Sequence, residues 1–327
     1  MPAQITHFLH AASVYNALPV HIRLKIRKSR KLYNIGSQGP DIFFYYLPGI
    51  LRKKTRGIGS KMHKKGAGEF FSQMATSIAK IHKKDAAFAY LCGFITHYCL
   101  DCKAHPYVYY KTGFKREGEA GKKIQYSSYH FRFETAIDTL MLRLVANQKP
   151  AEHKFWKRIL ISKSDIAVLN ILGRSISKAY GMPISGKNIL WAMRSIAIIT
   201  KILTSSTGKK KKLINLAETA VLGEDSALLA SLIHDQNISD DIDYLNSKKE
   251  IWKNPWDENS ENTSSFLEMF NQSADDAQII IEKLYNFLYK DASLESFLEA
   301  AGDKTLFSGE NASSDIVFKI HDIVFKK

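Results

Sequence analysis

Cysteine is scarce in this chain: three in 327 residues, and all three (Cys92, Cys99 and Cys102) fall inside one predicted helix. No disulfide framework can be built from that. Cys99 and Cys102 form a single CxxC with no second pair and no strand before it, so the thiols are expected as reduced, buried, small apolar groups. Proline is also rare, at eight residues, and no stretch alternates apolar and polar residues long enough to propose a sheet. No internal repeat is visible. The most apolar run, 189–203, is interrupted by Arg194 and reaches Lys201, which is too short to span a bilayer. The opening residues, MPAQITH, are polar and do not read as a secretory signal. These absences leave an all-α, multihelical protein, expected in the cytoplasm or peripheral to a membrane, with no transmembrane segment.

Acidic residues are missing from one part of the chain. Residues 1–212 hold 38 Lys+Arg against 10 Asp+Glu, a net of +28, whereas 213–327 hold 9 against 22, a net of −13. The basic part would attract anionic partners, either nucleic acid or acidic phospholipid headgroups; solubility, with neutralisation by the acidic part, is the plainer account. The expected organisation is a helical domain over 1–235, with 236–327 contributing a loop and further helices to the same body, or one single domain over 1–327.

Against this background two stripes stand out. His97, Asp101 and His105 follow one another at steps of four, and so do His130 and Glu134. At about 100° per residue, each set shares one helix face. Two facing helices so equipped converge imidazoles and carboxylates on one point, which is how helical bundles build metal sites. The first stripe lies among Phe88, Leu91, Phe94, Ile95 and Leu100. A carboxylate in such surroundings costs several kcal/mol unless it is paired or bound to metal.

The metal helix is expected over 85–104, ending before Pro106, with His105 at its terminus and Tyr107, Tyr109 and Tyr110 in an aromatic loop beside a cleft. The second runs from about Ser127 to Asn147. A first short helix, 5–20, carries His7 and His10, with Thr6 as its N-cap. Gly39-Pro40-Asp41 reads as a turn that delivers Asp41 into an aromatic-lined interior, as a ligand, a general base or a helix cap. Arg52 to Lys65 reads as a basic, glycine-containing loop holding His63, and Thr207 to Lys212 as a basic surface turn. Residues 236–262 form a long loop pinned by Trp252 and Trp256, followed by helices at 264–290 and 313–325.

The pieces MPAQITH, GPD at 39–41, His63, HYCLDCKAHP at 97–106, HFRFE at 130–134 and WKNPW together resemble the zinc-dependent phospholipase C enzymes, whose fold is shared with fungal single-strand nucleases. The resemblance implies an all-α fold with two or three zinc ions at the bottom of a cleft, hydrolysing phosphodiester bonds by metal-activated water. It implies one zinc on His63, His97 and Asp101, a second on His105, His130 and Glu134, and a third on His7, with Asp101 bridging. Asp41 falls at the family's general-base or ligand position. Removal of Met1 would let the Pro2 amine complete the third site. The expected substrate is a phospholipid or another phosphodiester. A nuclease on the same scaffold is the alternative enzyme, with bases stacking on the tyrosines at 107–110. A non-catalytic zinc protein docking on acidic membrane is the alternative of a different class, although His and carboxylate ligands without cysteine favour catalysis.

Overall fold

The computed structural model describes residues 4–47, 52–115, 122–162, 165–204, 208–222 and 228–325. The helices are α1 (Gln4–Ala17), α2 (Val20–Arg27), α3 (Arg30–Gly36), a 3-10 turn (Gly39–Tyr45), α4 (Arg52–Lys64), α5 (Gly68–Ala79), α6 (Asp85–Thr112), α7 (Lys123–Ala146), α8 (Trp156–Ile159), α9 (Ile166–Tyr180), α10 (Gly186–Leu203), α11 (Lys209–Leu222), α12 (Leu228–Ser231), α13 (Phe266–Tyr289) and α14 (Leu294–Ala301). Among the described residues there is no strand. Trp252 with Asn262 and Lys304 with Asn311 form isolated bridges only. The protein is all-α.

The centre of the architecture is α6. Every residue from Ala87 to Asp101 is buried, on all sides of the helix, as expected for a helix surrounded by others rather than packed on one face. Its first half joins a core with α2, α3, α5, α9, α10, α13 and α14. Its second half joins a second cluster with α7, through Leu100, Ala104, Tyr107 and Val108 against Phe133, Ile137 and Met141. Glycine permits the closest crossing: a Cβ on Gly93 would lie 2.0 Å from the Tyr33 carbonyl, and one on Gly36 2.3 Å from that of Tyr90. The α3 and α6 backbones therefore touch directly.

Several expectations from the sequence are corrected here. The helix α6 does not stop at Ala104 but continues through Pro106 to Thr112. Proline removes one N–H and frees the carbonyl four residues back, that of Cys102. Against that carbonyl lies Gly309, where a Cβ would approach to 1.9 Å, so the chain packs directly on the carbonyl that proline frees. Tyr107 is consequently a fully buried core residue on a helix, not part of a loop. Arg52–Lys64 is a helix because Thr55, Ile58 and Met62 give it a buried face. Its Gly59 packs against Phe44 and the Pro40 carbonyl instead of breaking it. Of the basic turn expected at 207–212, Thr207 lies outside the described residues and Lys209–Lys212 open α11 instead.

The helix expected over 313–325 is absent; the segment is irregular, its residues half-buried or exposed until the buried Phe325. Its backbone is tied to neighbouring chain instead: Asp322 and Val324 donate to the Tyr110 and Lys111 carbonyls at 2.8 and 3.0 Å. The last helix among the described residues is α14, and α13 and α14 share the core with α6. Trp252 is buried, and Trp256 stacks on Phe318. The three cysteines are free, Cys92 and Cys99 being buried.

Candidate metal centre

The site is built where α1, the 3-10 turn, α4, α6 and α7 meet, and each element is held by a contact that aims its side chain. The start of α1 is fixed by Asp138 of α7. That carboxylate accepts from the backbone N–H groups of Ile5 and Thr6 at 3.1 and 2.7 Å, from the Thr6 hydroxyl at 2.6 Å, and from His234 at 2.8 Å. A residue 132 positions away thus caps α1, and Thr6 is inside the helix rather than its cap. One residue further on, His7 points inward.

The turn that carries Asp41 needs glycine at position 39 for two reasons. Its φ is +49°, and a Cβ would lie 2.2 Å from the His97 ring. Both the backbone sign and the close approach exclude a side chain there.

Three imidazoles are oriented by backbone carbonyls. His63 Nδ1 faces the Gly59 carbonyl at 2.7 Å, His97 Nδ1 that of Ser37 at 3.2 Å, and His105 Nδ1 that of Leu306. A carbonyl oxygen only accepts, so the neutral rings carry their protons on Nδ1 and turn the Nε2 lone pairs inward. There they meet carboxylates. His97 Nε2 is 2.9 Å from Asp101 Oδ2, His7 Nε2 3.1 Å from Asp101 Oδ1, and His63 Nε2 3.2 Å from Asp41 Oδ1 and 3.7 Å from Asp101 Oδ2. His105 Nε2 stands 3.7 Å from Asp101 and 3.8 Å from Glu134, and His130 Nε2 3.2 Å from Glu134 Oε1. The structure thereby brings all eight residues singled out in the sequence into one connected cluster, each of them buried. The Pro2 amine lies outside the described residues.

Closeness does not satisfy every atom here. His63 Nε2, His97 Nε2, His105 Nε2, both ring nitrogens of His130, Asp41 Oδ1, Asp101 Oδ2 and Glu134 Oε2 are buried without a hydrogen-bond partner. Orphaned lone pairs of this kind are costly, and their convergence fits a cation. Three sets bring their donor atoms within 4.8 Å of one another: Asp41, His63 and His97; His7, His97 and Asp101; and His105, His130 and Glu134.

The electrostatics agree. Burial would raise the Asp101 carboxyl, yet His105, His97 and His7 hold it well below its ordinary value. Burial likewise opposes ionisation of Asp41 and Glu134, yet both are held below their ordinary values, Glu134 chiefly by His130 and His105 and Asp41 in part by His63 and His97. Burial pushes His97 and His105 down, toward the neutral, ligand-competent ring. It also pushes His7 and His63 down, but Asp101 and Asp41 carry these two above the ordinary value. The carboxylates that raise His7 and His63 also supply the negative charge that a divalent cation would need.

Around the cluster, Tyr109 packs on His130 and His105 with ring centres 4.8 and 5.6 Å apart. Burial raises its phenol, as it does that of Tyr45, so both remain neutral.

The residues the sequence did not announce are those behind the ligands. Asp138 could have been found, being the next step of four after His130 and Glu134. The carbonyls of Ser37 and Leu306 carry no side-chain signal at all.

A family model described as zinc dependent phospholipase C matches residues 6–187, more than half of the chain. No curated protein and no solved structure matches it.

Proposed function

The chain belongs to the zinc-dependent phospholipase C family, and on that premise we propose that it is a zinc-dependent hydrolase of phospholipid phosphodiester bonds. The observation that carries the reading is the convergence of buried imidazole nitrogens and carboxylate oxygens, most of them without a hydrogen-bond partner. Asp41, His63, His97 and Asp101 would hold one ion; His105, His130 and Glu134 a second; His7 with Asp101 a third, so that two or three ions are expected. Ions held there supply Lewis-acid activation of water and neutralisation of phosphoryl oxygens.

The chain's own residues do the rest. Asp101, lying between His7, His97, His63 and His105, ties the subsites together, so that its loss would be felt in more than one. Asp41 is ionised and has an oxygen with no hydrogen-bond partner, which suits it to ligation or to accepting a proton from water. The carbonyls of Gly59, Ser37 and Leu306 fix three rings by their Nδ1 protons, so no reorientation is required when a substrate arrives. Tyr109, neutral and packed on His130, keeps water from that side.

The single-strand nuclease reading is weaker than the residues first suggest, since Tyr107 is buried in the core and unavailable to a base. The test is hydrolysis of phosphatidylcholine against single-stranded DNA, with zinc supplied and with chelator. Release of phosphorylated headgroup that stops with chelator supports the proposal. Cleavage of DNA alone, or hydrolysis that survives chelation, overturns it.

A further inference from the structure

The helix α11 leaves an apolar stripe exposed. Its polar residues hold it to the body: Lys211 pairs with Asp235 at 2.6 Å, and Glu218 accepts from the Leu229 and Ala230 backbone N–H groups at 2.9 and 2.8 Å. Most of its described large apolar residues face outward, Ile214 being half-buried. Leu213, Leu216 and Val221 are 69%, 70% and 81% exposed, and on a helix they fall within about 140° of one another together with Ala217 and Ala220. A surface helix of a globular protein does the reverse. The same helix opens with Lys209–Lys212, and Lys210 reaches back to the Ile202 and Thr204 carbonyls, tying its start to the end of α10. There Ile202 and Ile198 are also exposed. Between 186 and 222 the sequence has seven Lys+Arg and one acidic residue, Glu218, which is engaged inward.

We propose that α11, with the end of α10, seats the protein on an anionic phospholipid surface, the leucines entering the acyl boundary and the lysines meeting phosphate. Exposed aliphatic side chains directly beside a polybasic run are the composition of an interfacial helix. A second copy of this chain would set four lysines against four, and nucleic-acid interfaces are polar rather than aliphatic, so neither fits as well. This claim concerns binding and stands on residues outside the metal centre. It goes beyond hydrolysis and does not depend on it.

The experiment is co-sedimentation of the full chain, in the presence of chelator, with vesicles of phosphatidylcholine alone or mixed with phosphatidylserine. We expect partitioning onto the mixed vesicles that weakens in high salt and is largely absent from the neutral ones. Leu213→Ser with Leu216→Ser should lower it by at least about ten-fold, and Lys209→Gln with Lys212→Gln by about five-fold per lysine. All four side chains are exposed, and unchanged helical circular dichroism would show that the variants fold. Wild-type protein that ignores anionic vesicles, or variants that bind as wild type does, overturns the proposal. So does a dimer that only the leucine variant abolishes, or binding of a single-stranded oligonucleotide in place of vesicles. Because turnover is blocked throughout, a failure here leaves the hydrolase reading intact, and vesicle binding without any hydrolysis after zinc is restored would refute that reading alone.

Discussion

Replacing Asp138 tests how the far end of α7 holds His7 in place. The carboxylate is fully buried and accepts four hydrogen bonds, three of them from the first turn of α1. In Asp138→Ala the Ile5 and Thr6 N–H groups and His234 lose their acceptor in a dry environment. A lost cap costs about 1 kcal/mol, and each buried donor left unsatisfied about 1–3 kcal/mol. These contributions overlap, so the total expected is about 3–5 kcal/mol, as for breaking a buried ion pair. Asp138→Asn keeps one carbonyl acceptor and should lose about 1–3 kcal/mol. Urea unfolding of the chelated protein, followed by far-ultraviolet circular dichroism, reads both without interference from metal. Combining Asp138→Ala with Thr6→Val should show coupling of about 1 kcal/mol or more, because the second change removes a partner already stranded by the first. A loss below about 1 kcal/mol in Asp138→Ala, with no coupling to Thr6, would refute the idea that α7 caps α1.

Other perturbations give equally definite expectations. Gly39→Ala puts a Cβ onto the His97 ring at a positive φ, so zinc bound per chain should fall while helical content stays near wild type, as read by elemental analysis and circular dichroism. Gly93→Ala instead forces α3 from α6 and should cost about 1–3 kcal/mol on urea unfolding without direct loss of a ligand. Gly309→Ala displaces the segment that orients His105 through the Leu306 carbonyl, and metal titration should show affinity at that subsite weakened about 10–100-fold. His10 donates to or accepts from Ser273 in the core, and burial lowers it to about 3. Its folded value lies below the ordinary 6.5, so it contributes nothing above that pH and removes stability as pH falls, by about 1.4 kcal/mol per pH unit between 6.5 and 3. Stability measured against pH should therefore fall less steeply in His10→Gln than in wild type over that window.

The long helices and the two ligand stripes were legible because a four-residue step on an apolar helix leaves few alternatives. The 3-10 turn at Asp41 was legible from Gly-Pro. What the chain hid was tertiary. Pro106 reads as a stop, yet α6 passes through it, and the segment that packs against the Cys102 carbonyl there, at Gly309, comes two hundred residues later. The glycines of Arg52–Lys64 read as loop until Phe44 and Pro40 are seen pressed against one of them. The cap on α1 comes from Asp138 rather than from its own Thr6, and the His105 partner is a backbone carbonyl that no sequence motif marks. In residues 313–325 the side chains suit either a helix or an extended segment. The choice is made by backbone carbonyls offered by Pro255, Tyr110 and Lys111.

The central claim is that the buried imidazoles and carboxylates bind zinc, and elemental analysis of protein purified without added zinc tests it most directly, in wild type and in Asp101→Asn. Two or three zinc ions per chain in wild type, and fewer in a variant that remains helical, is the result expected. No zinc in the wild type, even after zinc is offered and dialysed away, would contradict it.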